Sequence, residues 1–433
     1  MLAIPAMLAP WERCRSENVM LFGVIGGSNP DGLQFQRYLA LFEVELRELR
    51  RGVRVKKYGQ PANIVRAGVV AHIMDSRASE KVMLCQAGGA SKAMCWCCKC
   101  HGRHVKAYNK CVYDDARRFL SARHWMRKHR AWGEKELKAI EPRTKDAYIS
   151  DGEAHERFLA MPHTRGTQGW QEKYKPCTKT GIKGVPAIAR YPGPGFPEAM
   201  LFDAMHSFAG LIKNVIRCLV GRGLVKKKTT REELYNEEKT RFSGWDKKKY
   251  VKPNWPRTKG PKWPRAPFRL KQAAVQQCVK ELASIKLFPG LKPSIRGAFA
   301  INTKDMLHGT PGMAEYVNIF STGLIKILVR SMGKLQRITI GKIADGMRVL
   351  WRKKFTIAEG NAASKELLEG LALMLIAFPL WLALACGHYV AHIALQWKKF
   401  GPMRGCNCFA VERKLGVMMG LINSRKLPVV CSQ

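Results

Sequence analysis

The chain has 433 residues, room for two or three domains and a sizeable core, and sets 75 Lys+Arg against 33 Asp+Glu for a formal net charge of +42. That is more than a solvated basic surface needs, and it points to a polyanionic partner, nucleic acid first, held largely through salt-dependent phosphate contacts. Fourteen cysteines are too dilute for a small disulfide scaffold, while the cluster "CWCCKC" reads as metal or thiol chemistry in a reducing compartment.

The opening "MLAIPAMLAPWERC" lacks an early positive charge and soon meets proline, so no secretory signal is expected; a fragment boundary there is equally compatible. Residues 17–27, "ENVMLFGVIGG", form a short apolar run closed by glycines and predict a strand. In "DGLQFQRYLALFEVELRELRRG" the side chains Phe35, Tyr38, Leu39, Phe42, Leu46 and Leu49 recur at helical spacing, with Gly52 as the stop. "NIVRAGVVAHIMD" (63–75) holds an apolar run from Ala67 to Met74 and predicts a buried strand. That strand would deliver Asp75 at its C-terminal end, where open α/β sheets place their sites. Strand, helix, strand makes an α/β core the expected fold class.

From the cysteine cluster to about residue 200 the chain is polar and basic, with Gly-Pro turns in "RYPGPGFP". Helical periodicity returns in "DAMHSFAGLIKNVIRCLVGRG" (203–223) through Phe208, Leu211, Ile212, Val215, Ile216 and Leu219, with Asp203 as a candidate N-cap. Residues 225–265 form the most basic tract. There Trp245, Trp255 and Trp263 are interleaved with Lys226, Lys227, Lys228, Lys247, Lys248, Lys249, Arg257, Lys259, Lys262 and Arg265. Such a tract suits a surface that stacks bases and meets phosphates; a basic linker with incidental aromatics is the alternative. Residues 271–400 are mainly helical in pattern, and no internal repeat is visible. Within them, 370–397 contain no Lys, Arg, Asp or Glu, a run long enough to span a bilayer. Pro379 interrupts that run and His388 and His392 would lie in hydrocarbon, so buried core helices are expected instead.

Two kinds of constellation carry chemistry. In "AMCWCCKCHGRH", Cys95 and Cys98 make one C-x-x-C pair, and Cys97 and Cys100 make another. Either pair can give two thiolates to a tetrahedral zinc and needs two further ligands. His101 and His104 are the local candidates; His388 and His392 are the distant ones, placed by i, i+4 spacing on one helix face. The second constellation is acidic. Asp75 ends the predicted strand, and Glu412 begins the predicted helix "FAVERKLGVMMGLINS", whose buried face would carry Val411, Leu415, Met418 and Ile422. Carboxylates from two edges of one core can share Mg²⁺ or Mn²⁺ and clamp the reacting oxygens of a phosphodiester. Capping by Asp75 and ion pairing by Glu412 are the ordinary alternatives.

The order Asp, C-x-x-C, H-x-x-x-H, Glu resembles transposases of the CACTA (En/Spm) class and their fungal relatives, cut-and-paste DDE enzymes distantly related to the V(D)J recombinase. The resemblance runs from about residue 11 to the C-terminus, through "PWERCRSENVMLFGVIGGSNP", "VVAHIMDSRAS", "AMCWCC", "CVYDDARRFLSARHWMRK", "LFDAMHSFAGLIKNVI", the His388–His392 pair, Gly401-Pro402 and Glu412. It implies a partial ribonuclease H-like α/β core with a large, mainly α-helical insertion pinned by zinc. Structural Zn²⁺ would be held by Cys95, Cys98, His388 and His392, and catalytic Mg²⁺ or Mn²⁺ by Asp75 and Glu412. The implied partners are transposon ends and target DNA, bound by a homo-oligomer in the nucleus, with no membrane association. The implied parts are core at 1–94, a cysteine-rich segment at 95–130, a DNA-contacting linker and helix at 131–270, the helical insertion at 271–400, and a returning core helix at 401–433.

Departures from the family pattern shape the expectation as well. The family's first catalytic aspartate has no counterpart among these residues; Asp31 follows the strand and does not replace it, and Lys304-Asp305, where the family tends to carry histidines around an aspartate, has none adjacent. The expected activity is therefore DNA cleavage and strand transfer that is impaired. A non-enzymatic, zinc-stabilised DNA-binding protein is the alternative.

Overall fold

The computed structural model describes residues 32–105, 110–119, 141–161, 175–190, 195–219, 332–378 and 382–412 with short gaps, together with a few isolated positions. Asp75, Asp31, Lys304, Asp305, Pro379, Leu415, Met418, Ile422 and the whole 225–265 tract lie outside the described residues. By contact density the chain divides into two units. The first comprises 1–101, 140–203 and 405–433; the second comprises 102–139 and 204–404.

The first unit opens on two short strands, β1 (Leu2–Ala3) and β2 (Met20–Leu21), paired antiparallel. Helix α1 (Gly32–Arg51) follows. Its stripe is narrower than the periodicity suggests: Leu39 is buried and Phe35, Phe42, Leu46 and Leu49 are half-buried, but Tyr38 is exposed. The inward position beside it belongs to a polar residue instead. Gln36 donates to the carbonyls of Lys81 and Val82 and accepts from the Ala187 amide, so one amide side chain satisfies three backbone groups.

Gly52 stops the helix at φ +115°, and its amide donates to the Glu48 carbonyl. The chain then enters a hairpin of β3 (Val53–Val55) and β4 (Asn63–Val65), exposed along both strands. Val53, Val55, Ile64 and Val65 are all exposed, beside Arg54, Lys56 and Arg66. The expected single strand over Ala67–Met74 is therefore corrected. Asn63–Val65 turns back on β3, and only β5 (His72–Met74), half-buried, continues as a strand. A continuous apolar run does not say where a strand's partner ends; here the partner is three residues long.

Helix α2 (Ser76–Val82) follows β5. Helix α3 (Lys145–Ala160) is capped by Thr144, whose side chain accepts from the Ala147 amide, with Asp146 in the first turn. The short helix α4 (Lys175–Thr180) leads through Gly181 to β8 (Met200–Phe202), fully buried and parallel to β5. This parallel pair, with His72 opposite Met200 and Met74 opposite Phe202, is the α/β element that the unit displays.

In the second unit, β6 (Arg103–Val105) and β7 (Lys110–Val112) form an antiparallel pair, followed by a 3-10 turn over Asp115–Phe119. Helix α5 (Ala204–Leu219) buries Phe208, Leu211, Ile212, Val215, Ile216 and Leu219, as its periodicity predicts. Helices α6 (Lys334–Leu350) and α7 (Ile357–Ala377) pack closely. A Cβ on Gly346 would stand 2.7 Å from the Ala363 carbonyl oxygen, so that approach is open only to glycine. Thr356 and Glu359 form a capping box at the start of α7. The Thr356 amide and hydroxyl hold the Glu359 carboxyl below its ordinary range.

Helix α8 (Ala385–Phe400) completes the unit. Its Trp397 indole donates to Ser364 Oγ of α7 at 2.6 Å, and that hydroxyl donates to the Ala394 carbonyl at 2.6 Å. The uncharged run 370–397 is thus divided, α7 ending at Ala377 and α8 beginning at Ala385. Among the described residues no helix is long and apolar enough to cross a membrane. Outside the short pairs the described chain is mainly helical, with only two-stranded sheets.

Candidate metal centre

The cysteine half of the site is a loop, 93–100, held rigid by residues that are not themselves ligands. Between the two cysteines, Trp96 is 1% exposed, stacks on Phe202 at 4.1 Å and donates its indole N–H to the Met200 carbonyl at 3.1 Å. The turn is thereby fastened to β8. From the other side comes Arg143, 3% exposed. Its Nε donates to both the Cys95 and Cys98 carbonyls at 3.1 Å, and its backbone N–H donates to Cys97 O at 2.9 Å. The remaining guanidinium nitrogens reach Asp151 Oδ2 at 3.0 Å and the Thr180 carbonyl. A buried cation is costly unless its donors are paired; here each guanidinium nitrogen has a partner, and two of the four partners are carbonyls of the C-x-x-C turn. Arg143 directly precedes the Thr144 cap, so the start of α3 fixes where the guanidinium lies.

Cys95 and Cys98 are 1% and 2% exposed. Burial pushes the Cys95 thiol well above its ordinary value, with the neighbouring Cys100 and Cys98 thiols as smaller, opposed influences. A thiolate there calls for a compensating cation.

The histidine half lies on α8. His388 and His392 are one turn apart, their rings 4.8 Å between centroids and their Nε2 atoms 3.1 Å apart. Two nitrogens each about 2.0 Å from one tetrahedral zinc stand roughly 3.3 Å apart, so the pair is close to ligand spacing already. His388 has a fully buried side chain, and its Nδ1 faces both oxygens of Asp115.

Cys95 and Cys98 lie in the first unit and His388 and His392 in the second. Two thiols and two imidazoles are the donors of a structural zinc site, and each pair could supply half of the ligands of a metal such as zinc. Of the local histidine candidates, His101 and His104 are both exposed.

The candidate catalytic carboxylates are not brought together by anything described. Glu412 is exposed, at the end of one helical turn in which its amide donates to the Cys408 carbonyl at 2.8 Å; Val411 beside it is half-buried. That turn is fastened by a residue with a different expected role. Asp203 is 2% exposed, and its Oδ1 accepts from the Cys408 amide at 2.9 Å, holding the start of the Glu412 turn to the end of β8. Arg143, Asp115 and Asp203 were the positions the sequence reading missed as site-builders. "YDDARRFL" offered Asp115 only as one of two adjacent acids, and nothing in "EPRT" marked Arg143.

Residues 1–151, of 433, match the model of the transposase family tnp2. The match includes both cysteines of the candidate site and supports a transposase family for this chain. No curated protein and no solved structure matches the chain.

Proposed function

We propose that this chain is the catalytic region of a cut-and-paste transposase of the CACTA class, acting on terminal inverted repeats in the nucleus as a homo-oligomer. The observation that carries the reading is a pairing. The family match ends at residue 151 and contains Cys95 and Cys98, while α8, far outside it, carries His388 and His392 one turn apart with Nε2 atoms 3.1 Å apart, in the order the family resemblance implies. The partial ribonuclease H-like core belongs to residues 1–94 with the returning helix at 401–433, and the helical portion over 271–400, with α6–α8, is the insertion. Zinc bound by Cys95, Cys98, His388 and His392 would supply a structural cross-link between distant chain segments.

Asp75 and Glu412 are the residues proposed to hold Mg²⁺ or Mn²⁺, the ion supplying charge neutralisation at a phosphodiester. Asp203 keeps the Glu412 turn in register, and the basic tract with Lys226–Lys228, Lys247–Lys249, Trp255, Arg257, Lys259, Lys262 and Arg265 contacts DNA phosphates. Two carboxylates rather than three make cleavage by these 433 residues weak.

The test combines binding and cleavage on the purified chain. DNA affinity should fall steeply as salt rises from 50 to 200 mM, since every neutralised phosphate releases counterions. With Mn²⁺, slow nicking of a duplex should disappear in both Asp75→Asn and Glu412→Gln, while DNA affinity stays within about twofold. Binding without nicking in every variant would favour a non-enzymatic, zinc-stabilised DNA-binding protein. Failure to bind DNA at 50 mM salt would sink both readings.

A further inference from the structure

The imidazole of His388 is oriented by something other than the metal centre itself. Its Nδ1 lies 3.3 Å from Asp115 Oδ1 and 3.2 Å from Asp115 Oδ2. The histidine side chain is fully buried, and that of Asp115 is 19% exposed. The Tyr113 ring lies 5.4 Å from the same imidazole, centroid to centroid. Two residues before Asp115 and two before the start of α8, the Tyr113 amide donates to the Ala383 carbonyl at 2.6 Å, so turn and helix are registered by a backbone bond. Arg118 Nη2 stands 3.6 Å from Asp115 Oδ2 and steadies the carboxylate from its own turn.

A carboxylate cannot donate, so a neutral imidazole facing it presents Nδ1–H and keeps its lone pair on Nε2. That Nε2 is the atom 3.1 Å from His392 Nε2. We propose that Asp115 is the positioning residue of the zinc centre: it fixes the tautomer and ring plane of His388 so that Nε2 is the ligand. The proposal rests on the zinc reading given above. Carboxylates that accept from the second nitrogen of a ligating histidine raise its basicity as well as aiming it, and losing one commonly costs about 10- to 100-fold in metal affinity.

The experiment uses the full chain. Zinc affinity is measured by competition with a chromophoric chelator, and Co²⁺ is substituted to record the ligand-field bands. Wild type, Asp115→Asn, Asp115→Ala and, as a control for the zinc reading, Cys95→Ser are compared. The expected order is wild type, then Asp115→Asn, whose amide oxygen still accepts from Nδ1–H, then Asp115→Ala at about 10- to 100-fold weaker. The Co²⁺ bands should shift in Asp115→Ala and largely return in Asp115→Asn; a role confined to folding would leave the bands of the folded fraction unmoved.

Affinity of Asp115→Ala within twofold of wild type, with unshifted Co²⁺ bands, overturns the proposal while leaving zinc in place. Should Asp115→Ala fail to fold, Asp115→Ser, whose short side chain cannot reach Nδ1, takes its place, and unchanged affinity and bands there overturn the proposal equally. If wild type takes up no zinc, or Cys95→Ser takes up as much, it is the zinc reading that fails.

Discussion

Gly181→Ala should cost the first unit on the order of 4 kcal/mol or more, placing it among the rare single substitutions that unfold a domain. Gly181 has φ +80°, a region L side chains seldom adopt, and a Cβ there would stand 1.6 Å from the Ala93 carbonyl oxygen and 2.7 Å from the Ala93 carbonyl carbon. Left-handed strain alone is worth about 1–3 kcal/mol, but the overlap is with backbone and no rotamer relieves it. The Gly181 amide also donates to Cys177 O at 2.7 Å, and its carbonyl accepts from the Gln86 amide at 2.6 Å. The residue thus cannot move away without breaking the exit from α4. Ala93 opens the loop that carries Cys95 and Cys98, so the damage reaches the metal centre directly. The expected result is insoluble protein or a midpoint in urea far below wild type, together with loss of the zinc proposed for the site. A midpoint within the scatter of wild type would show that the Ala93–Gly181 approach is looser than described.

The second large effect is at Arg143. Arg143→Met keeps much of the stem volume and removes the guanidinium. The carbonyls of Cys95, Cys98 and Thr180 then lose their donor and Asp151 its buried partner. Breaking one side of a buried ion pair costs about 3–5 kcal/mol, and the unpaired carbonyls add to that. Arg143→Lys should recover little, because a single ammonium cannot at once replace Nε at the two cysteine carbonyls and the Nη fork at Asp151 and Thr180. The check is amide hydrogen exchange over residues 93–100 alongside denaturation: protection should collapse there first in both variants. Native-like exchange in Arg143→Lys would mean that charge, not the fork, holds the turn.

What the sequence made legible follows from where the information lies. The C-x-x-C pairs and the His388–His392 pair were readable because ligand spacing is local: a C-x-x-C turn and an i, i+4 pair each declare their geometry within five residues. Helix α5 was readable for a similar reason, its six periodic apolar positions all being buried. The strand before Asp75 was readable at its end, β5 stopping at Met74, but not at its start, because its length is set by Met200–Phe202, a three-residue partner too short to register as periodic. Tyr38 misled because an apolar body at a helical position says nothing about what faces it. Asp115, Arg143 and Asp203 were hidden for a common reason. Each acts on a partner between about 45 and 273 positions away, and a polar residue carries no periodic mark of such a bond.

The β3–β4 hairpin has a bearing on how the molecule behaves in bulk. It is a two-stranded ribbon with valine and isoleucine side chains open to solvent on both strands, the kind of edge onto which another copy can add. Charge opposes such addition: the net is +42 per chain, with Arg54, Lys56 and Arg66 on or beside the ribbon. That repulsion reaches about 10 Å at 0.1 M salt and about 3 Å at 1 M. Colloidal protection and the proposed DNA attachment would therefore fade on the same scale, and the brine that would strip a polyanion from this protein is the brine in which its own ribbons can meet.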